Sequence, residues 1–147
     1  QDHSPDIDVC NPFHSLNEYG RLYNWYAVDD ARGLCPSGWH VSTDWEWSVM
    51  ADHLGGDSIA GVSMKTDYGW DDGGNGTNLS GFSGPPGGYK GFNGQFFYAG
   101  WIGFWWTSTP NGSFAWYRTL HFSYESVGRV SDGLRRGFSV RCVQDAD

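Results

Sequence analysis

Large aromatic rings and glycine share this chain in unusual density, and the pairing limits what it can fold into. Rings make up 18% of the residues, nine of them tryptophan, and there are 22 glycines. Flat, bulky side chains separated by glycine favour short strands joined by long ordered loops over a helical bundle. Disordered chains carry few aromatics, so the glycines mark tight backbone rather than loose chain. At 147 residues the chain fits one domain, long enough to bury a core without metals or many cross-links.

Charge removes some function classes. The formal net charge is −8, and of the nine basic residues only Arg135 and Arg136 are adjacent. Without a basic stripe to follow a phosphate backbone, nucleic acid is not expected as a partner. No stretch approaches the roughly 18 apolar residues of a membrane helix. The three cysteines, Cys10, Cys35 and Cys142, are an odd number, and none has the CxxC or Cys/His spacing of a zinc site.

Residues 1–18 are polar, with Ser4-Pro5 and Asn11-Pro12, and read as an irregular lead-in to a domain spanning 19–147. Tyr19 to Val28 is densely apolar, and its period does not decide between strand and helix. Pro36-Ser37-Gly38 predict a turn and Trp39-His40-Val41 a short strand. Thr43 and Glu46 have capping-box spacing, and Asp44 suits the positive end of a helix dipole. Trp47, Met50 and Leu54 then recur at helical spacing until Gly55-Gly56, which predicts a helix over 44–54.

From 55 to 95 glycine, asparagine, aspartate and serine predict a long loop, functional or internally packed. Strands are expected over 95–101, 103–109, 114–124 and 136–143, with a hairpin turn at Pro110-Asn111-Gly112-Ser113. In the last run Phe138, Val140 and Cys142 alternate with Ser139 and Arg141, which predicts one buried and one wetter face. Residues 121–134 show no such pattern.

The segments YGRLYNWYAV, GLCPSGWHVSTDWEW, GFSGPPGGY, FWWTST, AWYRTL and GFSVRCV, in that order, resemble the Fibrobacter succinogenes major paralogous domain from about Tyr19 to Val143. That family is similar in fold to formylglycine-generating enzymes and C-type lectins. The resemblance implies an α+β, C-type-lectin-like fold: short twisted antiparallel strands, one or two helices and long ordered loops. It also implies a disulfide between Cys35 and Cys142, worth roughly 4–5 kcal/mol in the chain-entropy model, and with it an oxidising compartment. Cys10 is then left over, where family members carry a local cysteine pair. The family's setting implies an extracellular or cell-surface bacterial module, part of a larger surface protein or pilus.

A narrower resemblance is to the variable proteins of diversity-generating retroelements, which place diversified residues ahead of an ending like GFSVRCV. The positions it suggests are Tyr98, Ile102, Phe104, Phe114, Tyr117, Thr119, His121, Phe122, Ser123, Tyr124, Ser126, Gly128, Ser131, Asp132, Gly133 and Leu134.

The rings themselves divide. Trp105, Trp106 and Trp116, set in strands, are expected in the core. Tyr98, Trp101, Phe104, Tyr117, Phe122 and Tyr124 are expected to lean outward, because alternation cannot turn all of them inward. Exposed rings with serine, glycine and histidine nearby compose a recognition surface for a surface protein or a glycan. Asp67, Asp71, Asp72, Asn75 and Asn78 could offer oxygens to calcium, with Asp71, Asp72 and Asn75 the candidate ligands, although the spacing is not that of an EF-hand. The bland alternative is a solvated, turn-rich loop.

Catalysis is not expected. His3, His14, His40, His53 and His121 form no nucleophile–base motif, with His40 expected to pack in its strand and His53 to lie on a helix surface. Three readings follow: an adhesin-type binding module with its contact face over 97–134, a glycan-binding accessory module of a carbohydrate-degrading system, or a structural domain of a surface protein.

Overall fold

Helix starts earlier than the polar lead-in suggested. The computed structural model describes residues 12–147, and within it Pro12–Tyr19 form α1. Proline is well placed at the first helical position, where its missing N–H would have no partner anyway. Cys10 and His3 lie outside the described residues. The ambiguous run that follows ends α1, turns, and forms a second short helix, α2 (Trp25–Val28). The Asn24 side chain caps it by accepting from the Ala27 N–H at 3.1 Å.

The strand β1 (Trp39–Val41) and the helix α3 (Asp44–His53) fall where the sequence placed them. The capping box closes both ways: Glu46 N–H donates to Thr43 Oγ1 at 3.1 Å, and Thr43 N–H to Glu46 Oε1 at 2.9 Å. The long glycine-rich stretch holds a helix the composition concealed, α4 (Ala60–Met64), and a 3₁₀ turn at Asp71–Gly73. The described residues therefore contain four α-helices rather than one or two.

The strands come next: β2 (Tyr89–Lys90), β3 (Phe96–Phe97), β4 (Ile102–Asn111), β5 (Phe114–His121), β6 (Val127–Asp132), β7 (Ser139–Val140) and β8 (Cys142–Gln144). They form one four-stranded sheet in the order β6-β5-β4-β7 and two small pairs, β1-β8 and β2-β3. This is a mixed α+β domain, mostly sheet, with largely antiparallel pairing. The predicted hairpin is present, with Asn111 opposite Phe114.

Several details depart from the periodicity. The expected strand over 95–101 shrinks to two residues, and the run over 136–143 breaks into β7 and β8. β7 pairs with β4 in parallel, Trp105 opposite Ser139. Pressed against a central strand, Ser139 is buried instead of facing water. β6 gave no signal because it is an edge strand that buries only Val127 and is otherwise held by its ladder with β5, from Ala115–Asp132 to Leu120–Val127.

Core lies on both faces of the main sheet. Phe104, Trp106, Ala115 and Tyr117 pack with Trp25, Val28 and Phe138 on one side. Trp105, Leu120 and Val127 pack with Trp47, Ala51, Ala60 and Met64 of α3 and α4 on the other. A strand covered on both faces buries successive residues instead of alternate ones, so β4 is buried continuously from Gly103 to Thr107.

Two long-range ties fix this arrangement. Cys35 and Cys142 are disulfide-bonded, 107 positions apart with Cα atoms at 5.8 Å, joining the loop before β1 to β8. Arg118 of β5, fully buried, donates from Nε to Asp44 Oδ1 at 2.9 Å and from Nη2 to Ser48 Oγ at 2.9 Å. Arg129 of β6 takes the other carboxylate oxygen at 2.8 Å. The start of α3 is thereby locked onto the sheet.

Candidate functional site

The expected contact face divides between the two ends of the sheet. Ile102 stands opposite His121 at one end of the β4–β5 ladder, and Asn111 opposite Phe114 at the other. At about 3.3 Å per residue, the eight residues of β5 separate those ends by roughly 20 Å. Tyr98, Trp101, Ile102, Ser123, Tyr124 and Ser126 gather with His121 and Phe122 at the first end. Phe114, Ser131, Asp132 and Leu134 belong to the second, and Thr119, opposite Gly128, lies between.

Two of the rings expected to lean outward are core. Phe104 is 8% exposed and Tyr117 6%, because their face of the sheet is covered by Trp25, Val28 and Phe138. Burial also pushes the Tyr117 phenol above its ordinary value, aided by the charge of Asp132. Trp105 and Trp106 are buried as expected, whereas Trp116 is half-buried under the Arg129 guanidinium, 3.6 Å from its ring centre. Ile102 and Leu134 are half-buried against the same core.

At the first end the rings form a connected patch. Trp101 and Phe122 meet edge to face at 5.2 Å, while His121 stacks on Phe122 at 4.8 Å and on Tyr124 at 4.4 Å. Trp101 is 46% and Tyr124 61% exposed. Phe122 is half-buried and packs inward against the second core cluster, so the patch has a fixed root and an open rim.

Its loop is held from beneath. Lys65, 5% exposed, donates from Nζ to the carbonyls of His121 at 3.1 Å and Tyr124 at 3.2 Å. The Lys65 ammonium is held below the usual lysine range by burial. On the flank, Gly74 approaches the Phe122 backbone so closely that a Cβ there would collide with its carbonyl oxygen. Burial first, and then the Lys65 charge, hold the His121 imidazole below its ordinary pKa. A neutral ring suits its role here, since His121 Nδ1 accepts from the Ser123 N–H at 3.1 Å.

A tight turn leads from this patch to a second set of rings. Trp101 N–H and Ile102 N–H both donate to the Tyr98 carbonyl at 3.0 Å, and Tyr98 has φ +64°. Its ring, 52% exposed, lies 6.0 Å from Tyr89, which stacks on Phe97 at 5.1 Å. The candidate positions omitted Phe92, Phe96 and Phe97, all exposed, although Phe97 falls inside the expected 97–134 face. Their neighbours Gly91, Asn93 and Gly94 mark a reversal, and a hairpin too short to bury its own rings was the available signal.

The calcium reading gains no support. The Asn75 side-chain oxygen already accepts from Trp70 N–H at 3.0 Å, and that of Asn78 from Ser83 N–H at 2.8 Å. Among the described residues no three His, Cys, Asp or Glu side chains gather as a metal site. The Asn75 and Asn78 side chains hold the loop's own backbone.

His53 sits exposed on α3, as expected. His40 is no simply packed strand residue: its Nδ1 lies 2.6 Å from Asp145 and its Nε2 2.9 Å from Glu46. Among the described residues the closest approach to a nucleophile–base pair is Ser123 Oγ with His121 Nδ1 at 2.9 Å. The Ser123 N–H shares that nitrogen, and among the described residues no carboxylate bonds the ring. This is a local turn contact two residues long.

The family model for the Fibrobacter succinogenes major domain matches residues 2–144, nearly the whole chain. No curated protein and no solved structure matches it.

Proposed function

The chain belongs to the Fibrobacter succinogenes major domain family, and from that premise we propose that it is an extracellular, adhesin-type binding module on a C-type-lectin-like fold. Its contact surface is the patch of Trp101, His121, Phe122 and Tyr124, continued by Tyr98. The carrying observation is that Trp101 and Tyr124 stay 46% and 61% exposed although the Phe122 ring linking them, directly to Trp101 and through His121 to Tyr124, packs against the core. Large rings held open to solvent by a fixed scaffold supply contact area at little entropic cost. The disulfide supports an oxidising, extracellular setting.

The test compares Trp101→Ala and Tyr124→Ala with Tyr117→Ala, read on immobilised glycans and on intact cells. The first two should lose binding and keep the melting temperature, while the third should lose stability. Wild-type binding by both surface variants would sink the proposal. The glycan-accessory reading is favoured instead if binding is confined to sugars.

The diversified form of this reading makes a sharper demand. Sibling copies from one locus should differ at Tyr98, His121, Ser123 and Tyr124 and spare Phe104 and Tyr117. Substitutions spread evenly along the chain contradict it.

A further inference from the structure

A second surface lies apart from the ring patch. Tyr26 of α2, Phe92 of the β2–β3 hairpin, Ser113 of the β4–β5 turn and the segment carrying Asp132, Arg135 and Arg136 line an open depression of about 330 Å³. Four separate parts of the chain converge there. Hydrogen bonds hold its walls: Trp25 N–H donates to the Leu134 carbonyl at 3.0 Å, and Lys90 and Gly137 exchange backbone bonds at 2.7 and 2.9 Å.

The charges there are unequally committed. Arg136 pairs with Asp132 at 2.7 Å and lies over the Tyr89 ring at 5.4 Å. Arg135 lies over Phe92 at 5.6 Å, is exposed, and pairs with no carboxylate among the described residues. Among the described residues the depression therefore keeps one uncompensated guanidinium, on a chain of net charge −8. A basic spot in an acidic molecule attracts an anion locally while the remainder repels one. A guanidinium fork matches a carboxylate in two parallel hydrogen bonds.

The apolar part of the wall is flat. Tyr26 is 59% and Phe92 72% exposed, and their faces carry the negative side of a ring quadrupole. A pyranose bearing a carboxylate answers both features, setting its C–H face on a ring and its carboxylate at the guanidinium. We propose that this depression binds a uronate-type glycan, with Arg135 as the carboxylate anchor and Phe92 and Tyr26 as stacking faces. An acidic peptide would satisfy Arg135 but leave the two flat faces unused.

The site is independent of the ring patch, so its failure leaves the proposed function standing. Calorimetric titration with trigalacturonate, its methyl ester and a glutamate tripeptide tests it. Trigalacturonate should bind and the other two should not. Arg135→Gln and Phe92→Ala should each weaken binding about tenfold or more at unchanged melting temperature, added salt should weaken it further, and Trp101→Ala should leave it intact. Absence of trigalacturonate binding overturns the proposal. So does equal binding of the ester or the peptide, or full binding by Arg135→Gln.

Discussion

Lys65 donates its ammonium to the carbonyl of His121 at 3.1 Å, across 56 positions of sequence, and so ties the helical half of the molecule to the loop that displays the ring patch. The same nitrogen reaches the Tyr124 carbonyl at 3.2 Å and lies over the Trp70 ring at 5.4 Å. Lys65→Met keeps the stem's packing and strips two carbonyls of their donor. It should cost about 2 kcal/mol in urea denaturation. Amide exchange at Phe122 and Ser123 should accelerate more than in β4.

Asp44 faces two arginines, one of them fully buried. Among the described residues Arg118 Nη1 has no hydrogen-bond partner, and it lies 3.7 Å from Asp57, so the buried guanidinium leans on Asp44. Asp44→Asn leaves that charge only the longer 3.7 Å pair with exposed Asp57 and should cost about 3 kcal/mol by denaturant titration. Burial alone would raise the Asp44 pKa, but the Arg129 and Arg118 hydrogen bonds outweigh it and the net shift is downward. A depressed carboxyl contributes stability above its unfolded value of about 3.9, lost as pH falls through the folded pKa. The variant should therefore lose less stability on acidification than the native chain. Asp30→Asn, which removes only an exposed pair with Arg32, should change nothing measurable.

Reduction of the Cys35–Cys142 bond should be felt globally, because it closes a loop spanning 107 positions. In the chain-entropy model such a closure is worth roughly 4–5 kcal/mol. Denaturant unfolding with and without dithiothreitol should show that loss as a lower midpoint. An unchanged midpoint would mean that the β1–β8 pairing alone holds the ends.

His40 joins β1, α3 and the segment after β8 through its two ring nitrogens. Hydrogen bonds to Asp145 first, and then to Glu46, raise its pKa. A raised histidine contributes stability that is complete below its unfolded value of about 6.5 and fades as pH rises through the folded pKa. The melting temperature should decline from about pH 6 toward alkaline pH, and His40→Gln should flatten that decline. The ring is partly exposed, so salt should reduce the difference.

Local chemistry was legible wherever neighbouring residues decide the conformation. The Thr43–Glu46 box placed α3, Gly112 marked the hairpin turn, and Trp105 and Trp106 were read correctly as core. Reading failed where a distant segment decides exposure. Tyr117 has the same ring chemistry as Tyr98 and Tyr124, and only the cover laid over it and Phe104 by Trp25, Val28 and Phe138 separates it from them. β6 carries no apolar period because beyond Val127 its bonds to β5, rather than buried side chains, hold it.

By itself, the sequence determined a ring-rich, loop-rich chain with one capped helix and most of its main strands. Those properties follow from backbone preference and period, which act over a few residues. The tertiary structure alone decided which rings stay outside, how the candidate positions divide between the two ends of a sheet, and how Arg135 comes to stand beside Phe92 and Tyr26. Burial and charge pairing depend on what lies across space, and no local pattern records it.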